Sequence, residues 1–92
     1  MGQVQNTAGF VGNISATGNI CARACDMMGI FVSAASATPT ITVYDSASTT
    51  TTIPIVTVFT PIAGTYYPIP ASAKTGLYLV ISGTVNCTVF FS

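Results

Sequence analysis

From Asn19 onward, large apolar residues tend to fall at alternate positions, the spacing of a half-buried β-strand and not of a helix. "TPTITVYDS" (Thr38–Ser46) alternates most cleanly: Ile41 and Val43 point one way, and Thr40, Thr42 and Tyr44 the other. "TVNCTVFFS" (Thr84–Ser92) puts Val85, Cys87, Val89 and Phe91 on one face. "DMMGIFVSA" (Asp26–Ala34), "TIPIVTVFT" (Thr52–Thr60), "GTYYPIP" (Gly64–Pro70) and "GLYLVIS" (Gly76–Ser82) are strand-length apolar runs with β-branched or aromatic residues. Turn chemistry separates them: "ASAT" before Pro39, "DSAS" at Asp45–Ser48, "TPIAG" at Thr60–Gly64, "ASAKTG" at Ala71–Gly76 and "SG" at Ser82–Gly83. Only "NICARACDMM" is ambiguous.

Strand starts recur about every 8–12 residues, the rhythm of an all-β sandwich or barrel. The expected fold is a small antiparallel β-sandwich, jelly-roll-like, of about seven or eight short strands. Fifteen threonines, with the valines and isoleucines, favour pleated sheet over helix. Pro54 near the start of its run suits a strand that lacks one N–H. Pro68 and Pro70 mark "GTYYPIP" as an edge strand, where proline prevents further pairing. Residues Met1–Gly18 are dense in Gly, Asn and Thr. They read as an extended arm carrying one short strand around Phe10–Ile14, ahead of a single domain at 19–92.

Charge narrows the function. Half of the 92 residues are hydrophobic, enough for a core, and only Arg23, Asp26, Asp45 and Lys74 are charged. That 4% stands against about 25% in ordinary globular domains, with a formal net charge of zero. Two cations cannot neutralise a phosphate backbone or hold an anionic membrane, so neither nucleic acid nor membrane is an expected partner. No run approaches the length of a membrane span. "MGQVQNTAGF" has no basic or hydrophobic signal region, and Asn6 stands where myristoylation wants Ser or Thr, so synthesis in a cytoplasm is expected.

Catalysis fails on inventory. The chain has no His and no Glu, one Lys, one Arg and two distant aspartates, so no titratable pair is available for acid–base work. Asp45 reads as the cap of its own turn. Cys21 and Cys25 form "CARAC", with Cys87 far away. Three Cys without His cannot complete a structural zinc site, and no metal or cofactor is expected. In an extended strand Cys21 and Cys25 would stand roughly 13 Å apart, too far for a disulfide. The cysteines therefore read as reduced, partly buried hydrophobes, with a disulfide as the alternative if a turn brings the pair together.

Alternation forces the members of Tyr66–Tyr67 and of Phe90–Phe91 to opposite faces, and sets Tyr78 opposite Leu77 and Leu79. Outward aromatics on a charge-poor surface are expected at subunit contacts. Phe10, Tyr66, Tyr67, Tyr78 and Phe90 are the candidate interface residues. A stacking platform for sugars or bases is the other reading of the aromatics.

The segment Gly29–Phe91 resembles small virion proteins of tailed bacteriophages. "GIFVSAASATPTITVYDS", "VFTPIAGTYYPIP" and "KTGLYLVISGTVNCTVFF" carry the resemblance. In that type a "TITVYDS" strand precedes a Thr/Ser loop, a "TFTP-x-AGTWY-x-LP"-like strand pair follows, and "TGLYV-x-x-SGT" leads into a terminal hairpin. Tyr66 stands where a Trp is often seen. The resemblance implies a capsid cement (decoration) protein on the virion exterior, made in the host bacterial cytoplasm. It would bind the major capsid protein as a homotrimer, with Met1–Gly18 as the segment that reaches across capsid subunits. A receptor-binding or adhesive fibre module contacting host glycans is the alternative.

Overall fold

The computed structural model describes residues 10–36 and 38–92, and of residue 10 the backbone alone. It holds eight strands: β1 (Phe10–Ile14), β2 (Gly18–Cys21), β3 (Cys25–Ala35), β4 (Thr40–Asp45), β5 (Pro54–Phe59), β6 (Thr65–Ala73), β7 (Leu77–Ser82) and β8 (Val85–Phe91). The expected arm divides, since Phe10–Ile14 is a sheet strand and residues 1–9 lie outside the described residues.

Strand pairing follows one rule. β1 pairs with β8, β2 with β7, β3 with β6 and β4 with β5, all antiparallel. The chain is thus one long hairpin whose tip is the β4–β5 connection. Rolling that hairpin brings β8 against β3 and β7 against β4. The result is two four-stranded sheets, β1-β8-β3-β6 (sheet A) and β2-β7-β4-β5 (sheet B). This is the strand order of a jelly roll.

The core lies between the sheets. Ile30, Val32, Val85 and Val89 of sheet A meet Ile41, Val43, Leu77 and Leu79 of sheet B, all fully buried. Burial alternates along β8 from Val85 to Phe91, as period two requires. At about 1.5–3 kcal/mol for each buried aliphatic side chain, this layer is the main stabilising term.

The prolines sit where sequence logic puts them. Pro54 opens the edge strand β5, and Pro68 and Pro70 lie in β6, the edge of sheet A. β6 runs on to Ala73, so the turn expected at Ala71–Gly76 is shortened to the few residues before Leu77. Close packing makes that turn depend on Gly76: a Cβ there would meet the Ser46 and Cys21 carbonyl oxygens. "CARAC" is likewise resolved, because Ala22–Ala24 form a bend between β2 and β3. No helix among the described residues is long and apolar enough to cross a membrane.

Candidate functional site

The outer face of sheet A gathers the exposed aromatics. Register lays Val11, Phe90, Gly29 and Pro68 side by side across the four strands. The next row is Asn13, Thr88, Phe31 and Tyr66. Ile30 and Val32 point into the core, so Phe31 between them must point out, and it is 38% exposed. Tyr66 is 47% exposed and Val11 60%.

Gly29 shapes this face. A Cβ at Gly29 would lie 2.6 Å from Tyr66 Cζ and 2.7 Å from the Tyr67 carbonyl oxygen. The Tyr66 ring therefore leans out of its own row and covers the bare backbone of Gly29. There it meets Phe90 edge-on, with centroids 6.0 Å apart and planes at 71°. Val11, Phe90 and Tyr66 become one ridge, flanked by Phe31 and Pro68. None of the four charged residues lies in these rows; Asp26, at the far end of β3, accepts a 2.8 Å hydrogen bond from Ser72 Oγ.

The opposite end of the same face is polar. Asn13, Ser33, Asn86 and Thr88 line a shallow depression of about 400 Å³. Thr88 Oγ1 donates to Asn13 Oδ1 at 2.7 Å, and Ser33 Oγ donates to the Asn86 carbonyl at 3.1 Å.

The structure thus divides the five sequence candidates. Tyr66 and Phe90 share the ridge, and the side chain of Phe10 lies outside the described residues. Tyr67 turns to the core side, edge-on to Phe59 at 5.1 Å, and its hydroxyl accepts the Ile62 N–H at 2.9 Å. It closes its own β5–β6 connection and is not an outward contact. Tyr78 faces outward from sheet B but is only 9% exposed. It lies between Asn19 and Tyr44 in register, with the Tyr44 ring centroid 6.4 Å away, and Asn19 is tied to the Ser46 carbonyl at 2.9 Å. Its neighbours on the sheet cover it, so it offers little surface to a partner. Phe31 and Val11 are exposed on this face and are not among the five sequence candidates. The alternation of "GIFVS" places Phe31, whereas Val11 is placed by its pairing with Phe90.

Asp45 has a different role from the expected one. Its carboxylate reaches the β6–β7 connection and accepts the N–H groups of Lys74 at 3.0 Å, Thr75 at 2.8 Å and Gly76 at 3.3 Å, plus Thr75 Oγ1 at 2.9 Å. Those backbone bonds, from Lys74 and then Thr75, hold its carboxyl down at about 2. Its own turn is capped by Ser46, whose Oγ accepts the Ser48 and Thr50 N–H groups at 3.0 and 3.1 Å. The Asp45 lone pairs are committed to holding loops.

The three cysteines are buried and unbridged. Burial pushes the Cys87 thiol up to about 11. Burial first, and then the hydrogen bond with Cys21, push Cys25 up to about 12. Among the described residues, no three Cys or Asp side chains gather at a metal-binding distance.

No protein-family model matches the chain, and neither a curated protein nor a solved structure is significantly similar to it. The sheet A ridge and the jelly roll beneath it are therefore read on their own chemistry.

Proposed function

We propose that the chain is a non-enzymatic structural protein of a phage virion, a capsid cement protein that binds the outside of the shell. The observation that carries this reading is the charge-free ridge of Val11, Phe90 and Tyr66 with Phe31 on sheet A. Such a ridge presents rigid apolar area without charges to desolvate, the make-up of the centre of a protein–protein contact. The shell as partner comes from the resemblance of Gly29–Phe91 to small tailed-phage virion proteins. The jelly roll adds support, as an architecture that viral capsid domains use.

On this reading the partner is the major capsid protein and the assembly a homotrimer. Modest contacts repeated over a shell suffice, because each further contact of a tethered copy forms at high effective concentration. The test is a Tyr66→Ser, Phe31→Ser double variant, co-sedimented with shells assembled without the chain. Both side chains point outward, so the melting transition should persist while shell affinity falls by at least about tenfold. Unchanged affinity would remove the ridge from the contact.

A second reading, a receptor-binding module, is favoured by the polar depression at Asn13, Ser33, Asn86 and Thr88. Amides and hydroxyls beside an exposed Phe31 are the groups that recognise sugars. In that case the chain would bind host cells or glycans and not shells, and Asn86→Ala would abolish that binding while the melting transition persists.

A further inference from the structure

β2 ends at Cys21 in sheet B, and β3 begins at Cys25 in sheet A. The residues between them, Ala22–Ala24, carry the chain from one sheet to the other as a bend. Both cysteines enter the same core cluster, and the Cys21 thiol donates to the Arg23 carbonyl at 3.4 Å, which folds the bend back toward the Cys25 end. The bend removes the separation that extended backbone would impose. Cys87 stands apart, near the other end of β8, with its thiol directed at the Ile14 carbonyl 3.6 Å away.

We infer that Cys21 and Cys25 are a disulfide-forming pair, cross-linking the two sheets at the β2–β3 crossing. The co-reactant is a small-molecule disulfide such as oxidised glutathione. Cys21 reacts first, because it borders an open depression of about 540 Å³ lined by Val11, Ile20, Ala22, Arg23 and Phe91, whereas Cys25 does not. Cys21 gives up its proton and attacks one sulfur of the co-reactant, whose S–S bond breaks to release one thiolate. Cys25 then gives up its proton and attacks the Cys21 sulfur of the mixed disulfide, releasing the second. One S–S bond forms in the protein and one breaks in the co-reactant, which leaves as two thiols carrying the two protons. The Cys25 thiol gives up its proton less readily than an ordinary thiol, which makes the second step the slow one.

The chain contains its own assay. Its two basic residues, Arg23 and Lys74, divide it into three tryptic peptides with one cysteine each. The folded full chain is incubated with oxidised glutathione, its remaining thiols are blocked with N-ethylmaleimide in denaturant, and it is digested without reductant. The expected result is a monomer that carries a single N-ethylmaleimide, on Cys87, and lacks two hydrogen atoms, with the Cys21 peptide joined to the Cys25 peptide. A Cys87→Ser variant should give the same linkage, and reductant should separate the two peptides. Three results would overturn the inference: all three cysteines blocked, a glutathione adduct that persists on Cys21, or a linkage that involves Cys87 or a second chain. The inference rests on the β2–β3 geometry alone, so it stands or falls separately from the shell-binding reading.

Discussion

Single residues decide what the sheet A face looks like. Gly29 is the clearest case, because the absence of its side chain lets Tyr66 lie across β3 and reach Phe90. Gly29→Ala should destabilise the fold by about 1–3 kcal/mol. The Tyr66 ring can swing away, but the Tyr67 carbonyl belongs to the paired backbone of β6 and can only be pushed. Denaturant titration measures this, and an unchanged midpoint would mean that β6 moves freely at this point. Alternation makes part of this scale legible in the sequence. It shows that Tyr66 and Tyr67, or Phe90 and Phe91, take opposite faces. It does not show what covers an outward residue, and so Tyr78 reads as exposed although Asn19 and Tyr44 flank it. Gly29 reads only as a gap in an apolar run, because its role depends on a tyrosine on another strand.

At the scale of elements, strands and edges are legible because their signals are local. Proline and turn residues bound β4 to β8 within a few positions, and the prolines of β5 and β6 mark both as edges. Partners are not legible, because β1 pairs with β8 across nearly the whole chain and nothing in "FVGNI" specifies Phe91 as the partner of Phe10. Asp45 shows the same limit: its local sequence reads as a turn cap, while its hydrogen bonds go to Lys74–Gly76 about thirty residues on. These bonds have a pH signature. The Asp45 carboxyl lies at about 2 in the fold against 3.8 ordinarily, so between those values the unfolded chain binds more protons than the folded one. Its contribution is complete above about pH 4 and is lost as the pH falls towards 2. Asp45→Asn should therefore be less stable than the parent at neutral pH, with the gap narrowing through that window. A gap that stays constant from pH 6 to 2 would contradict the role given to these bonds. Salt should narrow the gap at neutral pH, because the carboxylate is near the surface.

At the scale of the molecule, four charged side chains and an aromatic ridge make a chain with little electrostatic reason to stay apart from other proteins. The roll of eight strands gives that ridge a rigid base, since Phe31, Phe90 and Tyr66 each alternate with residues anchored in the core. A rigid, uncharged face of this kind is what the proposed cement role requires, repeated many times over a shell. For the proposed cement role the most direct measurement is a co-sedimentation titration of the full chain against mature tailed-phage shells that lack it. Saturable binding at a fixed whole-number ratio to the major capsid protein is the predicted result. Protein that stays in the supernatant at every concentration would contradict the cement role.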